Sequence, residues 1–197
     1  MDEKVKTSFN LRMTVYCALF TALIIIGGYI SVPIPIGPVP IALADFFVMV
    51  TGLFLGWKYG LVSTGLYIVL GSLGLPVFAG GSAGLAIFFG PTGGFLFGYL
   101  LLAASVGFIT GKMKPSIITY LTALIIGNIL LYLVGVPWLK VKVNLSWAAA
   151  LAAGFTPFII GIVIKITVAA ALGHVLLPKF KQTLAYASVQ QANDGDE

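Results

Sequence analysis

A chain of 197 residues that is 59% hydrophobic and 9% charged carries far fewer charges than the roughly 25% of an ordinary soluble domain. Water cannot solvate most of its surface, so the composition excludes a soluble protein and points to a single domain integral to a bilayer. The net charge of +5 does not indicate nucleic acid, because the basic residues are scattered in the breaks between apolar runs and form no stripe with interleaved aromatics.

Six spans are predicted. The first, 13–31, follows Lys4, Lys6 and Arg12 and so has the flank of a signal peptide. Its uncharged run, Met13 to Val32, is 20 residues long. That length crosses a ~30 Å hydrocarbon core, and no small-x-small cleavage site follows, so it is read as a retained helix. Ala18 and Ala22 are four apart within it, a spacing at which small residues let another helix approach closely, or a by-product of an Ala-rich run. Cys17 is the lone cysteine; it permits no internal disulfide and reads as a small packed residue.

The segment SVPIPIGPVP (31–40) holds four prolines and cannot be helical. The second span, 44–57, follows it and opens on Asp45 in ALADFF. Here an Asp serves as an N-cap, as a site residue, or as both. The third span, 59–74, begins after Trp57-Lys58-Tyr59. Residues 71–94 contain eight glycines and two prolines yet are apolar, with Val77, Phe78, Leu85, Ile87, Phe88 and Phe89 among them. Non-helical backbone in such a place must be satisfied by protein or by a wet cavity. The segment is therefore expected to fold over the bundle as a lid or re-entrant loop, against the alternative of an irregular surface loop.

The fourth span is 92–111 and the fifth 116–136. Asn128 and Tyr132 lie one turn apart in the fifth, on one face. They read either as donors and acceptors for a neutral polar ligand or as polar contacts between helices. The sixth span, 153–177, carries Lys165 about 12 residues in, ~18 Å from its outer end. Lys165 is read as a clamp for a ligand carboxylate, as a partner of Asp45, or as a lysine bent toward the headgroups. A charge at that depth costs roughly 2.5–3.5 kcal/mol, and Asp45 and Lys165 are the two ionisable residues inside apolar stretches. His174 reads as interfacial. The polar tail 182–197 is expected to be disordered, which leaves 1–181 as one six-helix transmembrane domain.

With the N-terminus inside, the inner face receives Lys4, Lys6, Arg12, Lys58, Lys112, Lys114, Lys179 and Lys181, and the outer face Lys140 and Lys142. The bias predicts cytoplasmic termini. No phosphate-cradling loop, inverted repeat, Ser/His/Asp set or zinc spacing is found, so the chain is expected to have no enzyme activity, cofactor, metal or energy source of its own.

Four segments together carry a resemblance: PVPIALADFFVMVTGLFLG (38–56), GLPVFAGGSAGLAIFFGPTGGFLFGYL (74–100), GNILLYLVGVPWL (127–139) and PFIIGIVIK (157–165). They resemble the biotin-specific substrate-binding (S) components, the BioY family, of energy-coupling-factor vitamin transporters. The resemblance implies an all-α membrane protein of six helices that captures biotin from outside. It also implies a partner transmembrane scaffold, the T component, with two ATPase subunits, in a prokaryotic plasma membrane. It assigns Ala18 and Ala22 to docking on the scaffold. The family's last-helix pattern resembles P-F-x-P-G-D-x-x-K; here Ile160 and Ile162 stand at its second Pro and its Asp, while Lys165 is kept. Where the family reads like T-L-Q-T after PVP, this chain has Ala42, Leu43, Ala44 and Asp45. Asp45 is expected to replace the missing Asp as counter-charge of Lys165.

The site expected from these readings is a cavity roofed by 31–44 and 76–91 and floored by the last three spans. Lys165 supplies the charged contact. Asn128, Tyr132 and Asp45 supply hydrogen bonds, Gly80, Gly81 and Gly84 allow close approach of the backbone, and Ser82 is counted with them among the substrate-binding residues. Two other readings stand beside it: the same role for another carboxylate such as lipoate, and a membrane scaffold subunit whose Lys–Asp pair orients helices.

Overall fold

The computed structural model describes residues 11–34 and 37–193. Lys4, Lys6 and Pro35, and residues 194–197 of the tail, lie outside that range. The elements in chain order are α1 (Leu11–Tyr29), a two-stranded antiparallel ribbon of β1 (Ser31–Val32) and β2 (Ile41–Ala42), α2 (Ala44–Ser72), the short α3 (Leu85–Phe89), α4 (Gly93–Lys112), α5 (Ile117–Val143), the short α6 (Trp147–Gly154) and α7 (Ile159–Asn193). Among the described residues, five helical stretches are long and apolar enough to cross a membrane.

One of the five, α2, passes twice. Gly56 stands at φ 71 and ψ −178 inside it, a left-handed conformation that glycine adopts without a Cβ penalty. The chain reverses there. A Cβ built on Gly60 would stand 3.5 Å from the Cα of Gly52, whereas eight residues of continuous helix would separate them by about 12 Å. The predicted break at 57–59 is thus a tight turn at Gly56, with limbs 44–55 and 57–72. Gly107 of α4 closes on this turn, where a Cβ would lie 2.3 Å from the Gly56 carbonyl carbon.

Contacts fix the directions of the passes. On α1, Ser63 Oγ donates to Cys17 O at 3.0 Å, and Phe20 meets Phe54 at 5.9 Å between ring centroids. Hence α1 runs with limb 57–72 and against limb 44–55. Gly98 packs on Leu131 and Gly94 on Trp138, so α4 and α5 are antiparallel. Gly173 packs on Leu53, while Lys165 meets Asp45, so α7 runs with limb 44–55. Six passes alternate, as the sequence predicts. Their outward faces carry Ile118, Ile126, Ile129 and Leu133 of α5, among others, the kind of surface that lipid covers.

Four boundaries differ from expectation. Pro137 does not end the fifth span: α5 continues to Val143, because the fully buried Leu139 holds the turn beyond the proline. Pro178 likewise does not end α7, since Phe180 packs edge-on against Tyr16 and Phe54 at 5.0 and 5.4 Å. The tail expected to be disordered from Gln182 is helical to Asn193; it contains neither Gly nor Pro over 182–193 and is rich in Ala and Gln. The sixth span starts at Ile159, not 153, because Gly154 and Pro157 break the chain into α6 and a 3-10 turn, Thr156–Phe158.

Candidate functional site

The first limb of α2 is only 12 residues, about 18 Å long, too short for a full crossing. Its start at Ala44 therefore lies well below the outer ends of the neighbouring helices. The space above it is a cavity of about 800 Å³. Two segments cover it. From one side come the described residues of the proline-rich segment, Pro33, Ile34 and those at 37–40, and Gly37 reaches α6 so closely that a Cβ there would stand 2.8 Å from Ala153 Cβ. From the other side come Phe78, Ala79, Gly80, Ser82 and Ile87 of the 73–92 connection. Tyr29 at the end of α1 donates its hydroxyl to Pro76 O and ties that connection down.

The expected lid is thus formed, though not with every apolar side chain inward. Val77 and Phe78 are buried, whereas Leu85 and Phe89 are 62% and 69% exposed, on the outer side of α3.

At the floor, Lys165 Nζ donates to Asp45 Oδ1 at 2.7 Å and to the backbone oxygen of Ala42 at 2.6 Å. Both side chains are about nine-tenths buried. The pairing of Asp45 with Lys165 that the sequence suggests is present. Asp45 is not the helix cap: Leu43 occupies that position, without a side-chain cap bond. Ala42, which lacks the polar side chain of the resembling pattern, contributes its carbonyl instead. Ile162, at the pattern's Asp position, lines a separate apolar cleft of about 170 Å³ between α5 and α7.

The remaining predicted residues are split. Tyr132 lines the cavity, as do Gly80 and Ser82. Asn128 does not. It sits one turn further from the mouth, where its amide donates to Leu124 O at 2.8 Å and to Met49 Sδ at 3.3 Å, and its Oδ1 is enclosed without a partner among the described residues. The reason is depth: Met49 lies one helical turn beneath Asp45 and is fully buried, so Asn128 falls below the floor. Gly81 and Gly84 are not on the wall either. With Gly80 they have φ of 76, 95 and 67, and they shape the connection, where the Gly84 N–H donates to Gly71 O at 2.7 Å. Ser82 donates its hydroxyl to Ala79 O at 2.9 Å. Ala18 and Ala22 lie on the exposed face of α1, beside Val15, Leu19 and Ile26.

Sequence reading missed Tyr67 and Tyr99, which enter the cavity from limb 57–72 and from α4, and Phe95 and Phe158, which complete its apolar wall. A tyrosine inside an apolar span was the available signal, since its hydroxyl needs a partner there. The site as a whole offers one neutralised ion pair, phenol hydroxyls and a long apolar wall. That arrangement suits a small ligand with a polar head and an aliphatic chain, and the volume lies in the range of ligand pockets.

A family model described as "BioY family" matches residues 1–182. A "Biotin transporter BioY" of Thermotoga maritima is 41% identical over 162 residues, covering 82% of this chain and 94% of that protein. A "Probable biotin transporter BioY" of Pyrococcus horikoshii is 42% identical, covering 80% and 91%. Among solved structures, the S-component for biotin from an ECF-type ABC transporter superposes with a TM-score of 0.80 at 32% identity, over 86% of this chain and 93% of that one.

Proposed function

This chain belongs to the BioY family, and from that premise we propose that it captures biotin as the S-component of an energy-coupling-factor importer. The observation that carries the reading is the cavity of about 800 Å³ closed below by the Asp45–Lys165 pair. Biotin joins a polar bicyclic head to an aliphatic chain that ends in a carboxylate. The apolar wall formed by Phe95, Leu131 and Phe158 accommodates the chain. Lys165, Asp45, Tyr132 and Ser82 supply polar contacts, and Gly80 lets the backbone approach. Gly81 and Gly84 hold the lid in shape, and Asn128 supports the floor through Met49.

The chain binds and performs no reaction; it holds no engine. A membrane-spanning T component and two ATPase subunits supply the work, and the exposed face of α1 around Ala18 and Ala22 is where the T component docks. Biotin enters from outside and both termini are cytoplasmic. The end of the bundle away from the cavity carries Arg12, Lys58, Lys112, Lys114, Lys179 and Lys181, while Lys140 and Lys142 lie at the cavity end, which is the positive-inside pattern of a prokaryotic plasma membrane protein with the cavity facing out. Isothermal titration of the purified protein with biotin tests the proposal. A nanomolar Kd is expected. Heat on addition of lipoate but none with biotin would reassign the ligand, and no binding of either would reject the capture role.

A further inference from the structure

Three phenol rings converge on the cavity from three elements: Tyr67 from limb 57–72, Tyr99 from α4 and Tyr132 from α5. Tyr99 stands within electrostatic reach of Asp45 and of both other tyrosines. Tyr29 has found a backbone oxygen for its hydroxyl, but Tyr67, Tyr99 and Tyr132 have no hydrogen-bond partner among the described residues. Enclosed side-chain polar atoms without partners are Thr64 Oγ1 and Asn128 Oδ1. The three phenol oxygens are not of that kind; they open on the cavity.

Two of the rings are also fixed. Tyr67 is 1% exposed and stands edge-on to Phe78 of the lid at 5.4 Å. Tyr132 is held by Phe95 at 6.0 Å, Phe155 at 5.1 Å and Phe158 at 6.3 Å. Neither can swing away to find a partner elsewhere. Hydroxyls that open on the cavity are left to water in the empty protein, and one whose ring cannot move is preorganised for whatever enters.

We propose that Tyr67 and Tyr99, together with Tyr132, are specificity-determining residues whose hydroxyls hydrogen-bond the polar head of the ligand above the Asp45–Lys165 floor. The assignment rests on the biotin reading above. Lys165 has already committed two of its three N–H groups to Asp45 and Ala42, so the phenols supply most of the free donors in the site. Each also accepts. The set therefore fits a head group that carries both a carbonyl and N–H groups, such as a cyclic urea. A ligand with the same acid chain but a head lacking such groups leaves the hydroxyls unpaired. A site built to hydrogen-bond a group rejects the analogue without it more strongly than an apolar pocket rejects a missing methylene.

The test uses the full chain in detergent, with Tyr67→Phe, Tyr99→Phe and the double variant, each titrated with biotin and with lipoate, which has an acid chain but no ureido group. Ligand-free thermal unfolding is measured alongside. Each lost hydroxyl is expected to weaken biotin binding about tenfold and to erode the preference for biotin over lipoate by the same factor. The ligand-free midpoint is expected to hold, because a hydroxyl that opens on the cavity makes no bond within the described fold. An unchanged biotin Kd in the double variant overturns the proposal. So does a lowered ligand-free midpoint, since it would mean that the hydroxyls serve the fold. If the unaltered protein fails to bind biotin, the function proposed above fails, and the ligand-free midpoints still bear on the tyrosine assignment: unchanged midpoints mean that the hydroxyls are free for a ligand, and a fall overturns it.

Discussion

Lys165 Nζ lies 2.7 Å from Asp45 Oδ1, across 120 residues of sequence, and the two charges close the cavity floor between α7 and α2. Removing one member of such a pair leaves a buried charge without compensation, which costs about 3–5 kcal/mol, whereas replacing both members costs far less. Asp45→Asn and Lys165→Met should each lower the unfolding midpoint and abolish biotin binding. The double variant should regain much of the stability and none of the binding. A double-mutant cycle read by thermal unfolding checks this; independent, additive losses would sink the pairing.

Ile162 precedes Lys165 by three residues, so an acid there would neighbour the ammonium on the same helix. Ile162 lines the side cleft, not the cavity, which makes it an inferior position. Asp45→Ile should lose all binding, and Asp45→Ile combined with Ile162→Asp should recover a measurable fraction. Equal silence from both in biotin titrations would mean that the carboxylate is needed at α2 itself.

These charges show how far the sequence could be read. Apolar run lengths predicted six passes, and depth alone singled out Asp45 and Lys165, because a membrane core tolerates few charges. Two things were hidden. Helix ends depend on tertiary packing: Pro137 and Pro178 are stop signals in sequence, and only the packing of Leu139 and Phe180 holds the turns beyond them. The cavity wall depends on depth in three dimensions. Asn128 and Tyr132 share a helix face, but the floor passes between them, and Tyr67 and Tyr99 were indistinguishable by periodicity from tyrosines that merely pack.

The turn at Gly56 should be intolerant in two ways. Ala at φ 71 and ψ −178, a region essentially restricted to glycine, is strained by about 1–3 kcal/mol, so Gly56→Ala should unfold at a lower temperature and still bind. Gly107→Leu places a side chain 2.3 Å from the Gly56 carbonyl carbon, against backbone that cannot yield. It should be several-fold more damaging, as measured by the recovery of monodisperse protein and its unfolding midpoint.

Trp138 at the cavity end donates its indole N–H to Gly90 O at 2.9 Å and so fastens the lid connection to α5. Trp138→Phe keeps the ring contact with Phe97 but removes this bond, which is worth roughly 0.5–1.5 kcal/mol. A loosened lid should release ligand faster, with koff rising about 3- to 10-fold and kon little changed. Stopped-flow displacement of bound biotin measures both; a change confined to kon would mean that the lid is not what retains the ligand.

Ala18 and Ala22 face outward on α1, far along the helix from Tyr29 at the cavity. Both positions are exposed, so Ala18→Leu and Ala22→Leu should leave the unfolding midpoint and the biotin Kd unchanged. Close helix approach depends on small residues at this spacing, so the same variants should fail to co-purify with a T component and two ATPase subunits and should fail to support biotin uptake by cells. That separation of intact binding from lost transport is what distinguishes a docking face from an incidental run of alanines. Uptake equal to that of the unaltered protein would move the docking surface to another face of the bundle.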